Sequence, residues 1–520
     1  MLFHQPIDFQ ANRRPSNIAL TAHDYVWDYQ TLVQHSYDVA RLLIDRGVQP
    51  GDRIGVLGLN SAAHLAIFIG ASRVGAVAVS VNFRLAPAEL AFILDDAGVN
   101  LLFVTDASIA ETVTATKACR QSSTTIMGHH PEASMTLDAV FNSKAAPYDR
   151  GVNVDEHDAA MQLYTSGTTG KPKGAVLSHR NFTSLLTMMA LGNDGQYTSE
   201  NTDLIIAPLF HIGGAGIAYI TLATGGQGIL HEAFDPVRVV ETIQKAQVNT
   251  LFMVPAMIQA ICKLVPNVEQ YNLSSLEHIA YGAAPISVPL LKEALALFKC
   301  RLSQVYGMTE TAGTVISLPP EDHDRALAGE EHLLRSCGKA TAGNEVKIVT
   351  EDGETLGPNQ TGEICLRSAS NMRHYFNRPE ATEKTLIDGW VHTGDAGFID
   401  EQGYIFLRDR IKDMVVSGGE NIYPVEVENV LAGLPGIIEV AVIGVPDERF
   451  GESLLAVFAL KPDSELDVNT MVQFCREKLA GYKIPRQIAF VDALPRNPSG
   501  KILKTILREP YWEGHDRRIG

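Results

Sequence analysis

The sequence predicts an α/β protein in which a large N-terminal domain of helix-covered, mostly parallel sheets is joined to a small α+β C-terminal domain. Three observations predict it. Short β-branched runs alternate with longer helical stretches over most of the chain, the texture of strand–helix units that build parallel sheets. The polar, glycine-rich segments each follow an apolar, strand-like run, and such sheets bind ligands at the carboxyl ends of their strands. The texture then changes near residue 410, and the remainder, about 110 residues, carries its own pattern of helices and strands and is long enough for a domain.

The elements follow in order. RIGVLGLN (53–60) reads as a buried strand, and SAAHLAIFIGASRVGAVAV after it begins as a helix. TLFMVP (250–255) and then AMIQAICKLV repeat the pattern, with Pro255 near the helix start, where a missing N–H costs little. RDRIKD (408–413) reads as a charged link, placing the domains at 1–409 and 410–520. Beyond it Val427, Val430, Leu431 and Leu434 share one apolar helical face, while IEVAVIGV and LLAVFALK read as strands. Met471, Phe474, Cys475 and Leu479 mark a second helix and RQIAFVDAL a third strand; the terminal EPYWEGHDRRIG is read as frayed.

At 520 residues the chain is too long for one core. Its 43 Lys and Arg against 60 Asp and Glu give a net charge of −17, which argues against non-specific nucleic-acid binding but not against a local basic pocket for a polyanion. The six cysteines (119, 262, 300, 337, 365 and 475) are scattered without a Cys-x-x-Cys pair and read as reduced, buried thiols. The N-terminus lacks the pattern of a signal peptide, and no run of about 18 apolar residues marks a membrane span. The expectation is a cytoplasmic enzyme, with peripheral membrane contact left open and the oligomeric state, a homodimer included, equally open.

The strongest chemical signal is YTSGTTGKPKG (164–174). Three glycines and four hydroxyl residues after a strand suit a loop that wraps phosphate oxygens with backbone N–H groups, and Lys171 and Lys173 add positive charge. The spacing is not that of a Walker A loop, because Lys171 precedes Pro172 rather than a Ser or Thr.

This segment resembles the AMP-binding signature of the adenylate-forming superfamily, which contains acyl-CoA synthetases, peptide-synthetase adenylation domains and beetle luciferases. Further motifs similar to that family's follow in order: PLFH (208–211), YGAAP (281–285), YGMTET (306–311), HTGD (392–395), RIKDMVVSGGENIYP (410–424) and PRNPSGK (495–501). The resemblance spans essentially the whole chain and is greatest to bacterial fatty-acyl-CoA and aryl-CoA ligases.

The resemblance implies roles. Thr165, Ser166, Gly167, Thr168, Thr169, Gly170 and Lys171 would cradle the phosphates of ATP. Tyr306, with Gly307 and Met308, would lie against one face of adenine, and Gly282, Ala283 and Ala284 would cover the other. Thr309 would bond the α-phosphate, and Glu310 would hold Mg²⁺, for which a hard carboxylate oxygen is suitable. Asp395 would accept the ribose hydroxyls, with Arg410 on the same ribose. Lys501 would supply positive charge for acyl-AMP formation. His211 would gate the acyl pocket, Lys412 would be the hinge of a mobile C-terminal domain, and Gly418 and Gly419 would line the coenzyme A thiol tunnel. Gly213, Gly214, Ala215 and Gly216, where related enzymes place bulkier residues, suggest a long or wide acyl pocket.

The implied reaction activates a carboxylic acid with ATP to acyl-AMP and pyrophosphate, then passes the acyl group to coenzyme A. A stand-alone adenylation enzyme and a luciferase share these motifs, and a catalytically dead nucleotide-binding homologue is disfavoured by the intact Lys501, Glu310 and Asp395.

Overall fold

The computed structural model of the chain describes residues 1–22, 25–146, 153–165, 172–192, 197–284, 286–410, 413–417, 420–447, 449–462, 464–476, 478–496 and 501–513, with side chains at all of these except 192, 409, 410, 420 and 421.

The apolar runs read as buried strands form two large sheets. In a nine-stranded sheet, Ile18–Ala22, Gln227–Leu230, Thr202–Ile205, Thr250–Met253, His278–Gly282 and Arg301–Met308 lie side by side in parallel, with antiparallel strands at both edges. In a seven-stranded sheet, Thr125–Gly128, Leu101–Val104, Arg53–Leu57, Val77–Val81 and Ala159–Thr165 run parallel, and Lys173–Ser178 and His374–Tyr375 add on antiparallel. The predicted strands over 53–60 and 250–255 end at Leu57 and Met253, and the helices Ala62–Arg73 and Pro255–Leu264 follow. The Ser61 side chain caps the first of these, accepting from His64 N–H, and Pro255 occupies the first turn of the second.

One core joins the two sheets. It runs from Leu20, Ile205 and Leu230 of the larger sheet to Ile54, Ala78 and Met161 of the smaller, through Leu43, Ile67, Phe68 and Tyr219 on helices Tyr29–Asp45, Ala62–Arg73 and Ile212–Thr224. Helix Ala62–Arg73 is buried on nearly every face, which explains why its sequence is apolar all round rather than striped. A third, antiparallel sheet contains Glu345–Val349, Gly362–Arg367, Trp390–Ile399, Leu386–Ile387 and Ile405–Arg410. The expected charged link therefore begins as strand: Asp409 and Arg410 are still paired, with Arg410 opposite Asp395.

Beyond it lies a separate small sheet. Ile437–Asp447, Gly451–Leu460 and Gln487–Phe490 are the three expected strands, and Val415–Ser417 and Glu420–Ile422 are two short ones the sequence did not announce. Val427, Leu431, Met471 and Cys475, from the two expected helical faces, are fully buried in its core. The tail departs from expectation. Glu509–Trp512 end a third helix, Lys504–Trp512, held by Trp512 Nε1–H donating to Gly444 O at 3.0 Å and by a buried ion pair of Arg508 with Asp413 at 2.6 Å. Fraying from Glu509 on would leave the Trp512 anchor unmade; residues 514–520 of the segment read as frayed lie outside the described residues.

The cysteines are all unpaired, but only Cys337, Cys365 and Cys475 are buried; Cys119 is exposed and the other two are half-buried. Among the described residues no helix is long and apolar enough to cross a membrane.

Candidate functional site

The carboxyl ends of the parallel strands gather most of the singled-out residues. Thr165 ends the strand Ala159–Thr165, whose antiparallel partner begins at Lys173. Ser166, Gly167, Thr168, Thr169, Gly170 and Lys171 lie outside the described residues. The stem is described, and its geometry explains Gly174: a Cβ there would come within 2.5 Å of Gln162 Nε2. Gln162 donates to the Tyr164 hydroxyl at 3.1 Å and accepts from Arg53 at 3.1 Å, and Tyr164 donates to Asp96 at 2.7 Å. Thr165 and Lys173 thus stand on a polar, part-buried footing.

Across the sheet seam, Arg301–Met308 delivers Tyr306, Gly307 and Met308, and a one-turn 3₁₀ helix, Thr309–Thr311, presents Thr309 and Glu310. Thr311 locks the turn: its hydroxyl bonds Met308 O at 3.1 Å and Gly313 O at 2.7 Å and accepts from Met308 N–H at 3.1 Å. Glu310 is buried, and Thr165 Oγ1 approaches its Oε1 at 3.5 Å, so the two sheets meet at these residues. Gly307 and Gly282 are glycines for a backbone reason. Added Cβ atoms would lie 1.8 Å from Gly313 O and 2.0 Å from Val305 O. Ala283 has φ 66°, a left-handed conformation that a small residue tolerates best after the strand His278–Gly282.

Asp395 comes from the third sheet. Its Oδ2 accepts from the Tyr306 hydroxyl at 2.7 Å, and burial, followed by the Asp395 charge, pushes that hydroxyl well above its ordinary pKa, keeping it a donor. Glu363 holds the turn before Asp395, its Oε1 accepting from Gly394 N–H at 2.8 Å and its Oε2 pairing with His392 Nδ1 at 2.7 Å. Cys365 Sγ stands 3.5 Å from the same nitrogen. Glu363 and Thr311 were not singled out from sequence. The signal available was an acid two residues before Cys365 in a strand and a hydroxyl inside a motif already claimed by its neighbours.

His211 ends the segment after Thr202–Ile205 and precedes helix Ile212–Thr224. It is deeply buried, its Nε2 has no partner among the described residues, and burial, with a smaller contribution from Arg84, lowers its pKa to about 4. The ring is neutral near pH 7, consistent with an apolar wall and unlike a general base poised at neutral pH.

The run of small residues after His211 is corrected in part. A Cβ on Gly214 would lie 2.2 Å from Pro208 O and 2.6 Å from Ala207 O, so this glycine lets the helix seat on the strand-end loop and does not open a pocket. Gly213 faces the Phe252 ring, 3.2 Å from where a Cβ would stand, and a Cβ on Gly216 would make only ordinary contact with Leu185 and Ile212. Around Phe252 lies an apolar cluster of Ala207, Val254 and Ala280, with Ile217 and Val305 against it.

On the small sheet, Lys501 is half-buried at the exit of the loop 497–500, which lies outside the described residues. The loop stem is closed by a bridge between Arg496 and Ile502 and by Leu503 N–H donating to Pro495 O at 2.8 Å. Lys412, Gly418 and Gly419 lie outside the described residues, as does the Arg410 side chain. The small sheet touches the large part of the chain where Gln259 Nε2–H donates to Ile438 O at 2.6 Å.

A family model described as "AMP-binding enzyme" matches residues 7–376, and one described as "AMP-binding enzyme C-terminal domain" matches residues 426–501. The chain is 37% identical to a fatty acid–[acyl-carrier-protein] ligase, ScoC, of Streptomyces coeruleorubidus, over 99% of this chain and 97% of the relative. It is 40% identical to a feruloyl-CoA synthase of Amycolatopsis sp, over 92% of this chain and 94% of the relative. The crystal structure of ATP-bound MatB from Rhodopseudomonas palustris superimposes with a TM-score of 0.88 at 28% identity, covering 99% of this chain and 100% of that one.

Proposed function

The chain belongs to the AMP-binding enzyme family and is an ATP-dependent, AMP-forming acid–thiol ligase, and on that premise we propose that it activates a medium- or long-chain fatty acid or an aryl acid and transfers it to coenzyme A. The observation that carries the reading is the meeting of three sheets at one place: Thr165 of the phosphate-loop stem beside Glu310, and Tyr306 bonded to Asp395.

In this reading the loop 165–171 wraps the phosphates, Thr309 bonds the α-phosphate, and the adenine sits between Tyr306, Gly307 and Met308 on one side and Gly282, Ala283 and Ala284 on the other. Asp395 and Arg410 take the ribose. Glu310 fits Mg²⁺, being a carboxylate beside a phosphate loop, the donor set this ion uses with nucleotides. When bound, Mg²⁺ neutralises phosphate charge. The substrate carboxylate attacks the α-phosphorus, the bond to pyrophosphate breaks, and Lys501 stabilises the charge at the crowded phosphorus. The thiol then attacks the acyl carbon and AMP leaves.

His211, neutral and buried, walls the acyl site, and the apolar cluster around Phe252 supports an apolar acid. Residues 1–409 and 410–520 act as two units hinged at Lys412, and their rotation exchanges Lys501 for Gly418 and Gly419 at the site. Six unpaired cysteines support a cytoplasmic setting.

The test is ATP–pyrophosphate exchange across a panel of short, long, branched and aromatic acids, followed by thioester formation with coenzyme A. Acid-dependent exchange with medium-to-long or aryl acids, and thioester with coenzyme A, is expected. Exchange with none of the acids would overturn the reading. Because one relative is a ligase to acyl carrier protein, a holo-carrier protein is run in parallel, and transfer to it alone would replace coenzyme A as the acceptor.

A further inference from the structure

The segment 372–378 lies outside every motif singled out above, yet it binds the site together. Its strand His374–Tyr375 pairs with the strand that leaves the phosphate loop, Tyr375 opposite Ala175. Phe376 N–H donates to Gly174 O at 2.8 Å, and Met372 N–H donates to Glu310 O at 2.7 Å. Phe376 receives the Arg53 guanidinium on its ring face at 3.8 Å, and Arg378 pairs with Asp96, the carboxylate that also anchors Tyr164 at the loop entrance. Loop entrance, loop exit and the Glu310 turn are therefore clasped by seven consecutive residues.

At the centre of the clasp the Tyr375 hydroxyl donates to Glu310 Oε1 at 2.5 Å, with both residues about 95% buried (6% and 5% exposed). Lys173 Nζ lies 5.2 Å from the centroid of the Tyr375 ring, and the Tyr375 backbone N–H donates to Thr382 Oγ1 at 3.0 Å, so ring and main chain are each held by a further contact. A buried carboxylate has few donors to choose from, and a short bond from a hydroxyl to an ionised acceptor is a strong orienting contact. Among the described residues both hydrogen bonds to the Glu310 carboxylate fall on Oε1, so Tyr375 holds one oxygen and leaves Oε2 for a ligand.

We propose that Tyr375 is a positioning residue for nucleotide activation: its hydroxyl holds the Glu310 carboxylate in the one orientation in which it takes the divalent cation that accompanies ATP. The proposal rests on the reading of Glu310 as the residue that holds that cation. Tyr375 itself touches neither ATP nor acid; it acts through Glu310.

Tyr375→Phe keeps the ring, its burial and its contact with Lys173, and removes only the hydroxyl. Loss of one hydrogen bond to a charged group predicts that the Mg²⁺ concentration for half-maximal acyl-AMP formation rises about tenfold. The turnover at saturating Mg²⁺ stays within about threefold of the parent, as expected when an orienting contact rather than a reacting group is lost. Calorimetry gives a readout independent of turnover: ATP affinity measured with Mg²⁺ falls, while ATP affinity in EDTA is unchanged. An unchanged Mg²⁺ requirement, with or without a lower melting temperature, overturns the proposal, because a merely structural hydroxyl predicts that result. Glu310→Gln is measured alongside. If it too leaves the Mg²⁺ requirement unchanged, the cation reading of Glu310 has failed; if it raises the requirement and Tyr375→Phe does not, only the positioning role has failed.

Discussion

Tyr306→Phe removes a hydrogen bond that, in the proposed reading, joins the adenine side of the site to its ribose side. The ring stays, so any stacking on adenine stays, and what goes is the hydroxyl that donates to Asp395 Oδ2 at 2.7 Å. A neutral donor to a carboxylate is worth about 1.5–3 kcal/mol, and this pair is half-buried, so the low end applies. About 1.5 kcal/mol is roughly a tenfold change in an equilibrium constant. The loss should appear where Asp395 acts. In ATP–pyrophosphate exchange the preference for ATP over 2′,3′-dideoxy-ATP narrows by about tenfold, while the preference for ATP over GTP, which reads the base, is unchanged. A dideoxy preference equal to the parent's would refute the claim that Tyr306 orients a ribose-binding carboxylate. Loss of both preferences together would show that the substitution disturbed the whole site.

Other outcomes follow from the same structure. Lys501→Ala should abolish acyl-AMP formation and largely spare thioester formation from synthetic acyl-AMP; an equal fall in both half-reactions would contradict the domain rotation. Gly214→Ala should lower the melting temperature, since its Cβ would stand 2.2 Å from Pro208 O, whereas Gly216→Ala, with nothing nearer than 3.8 Å, should be neutral or stabilising; scanning calorimetry of the pair decides. Asp203 is buried with Thr221 Oγ1 donating to it at 2.7 Å, and burial raises its pKa to about 7. The folded form therefore holds a proton that the unfolded chain has released, and stability falls as pH rises from about 4 to about 7. The melting-temperature difference between Asp203→Asn and the parent should then move in the variant's favour from pH 5 to pH 8, and a pH-independent difference would exclude a protonated Asp203.

Consecutive residues were enough to show the alternation that makes parallel sheets, the helix start at Pro255, the apolar faces of the small domain and the loop motif at 164–174, because each of these depends on local period, backbone freedom or hydroxyl density. They also located the strand ends at or near which Thr165, Gly282 and Tyr306 are found, whereas the strand read as running to His211 stops at Ile205. Sequence reading could not distinguish the meanings of a glycine. Gly214, Gly282 and Gly307 are glycines because another strand or loop puts a carbonyl oxygen about 2 Å from where a Cβ would be, and that oxygen belongs to a residue elsewhere in the chain. Nor could it find Glu363 or Tyr375, whose partners lie 31 and 65 positions away and meet them only after strands pair, for Glu363, or sheets pack, for Tyr375. The stretch Glu509–Trp512 was misread as frayed for the same reason: Trp512 looks terminal until its indole N–H reaches Gly444 of the small sheet. By itself the sequence determined the family's motifs and so which groups are proposed to bind a nucleotide; tertiary packing decided which side chains hold them in place, because a hydrogen bond between distant residues leaves no period in the chain.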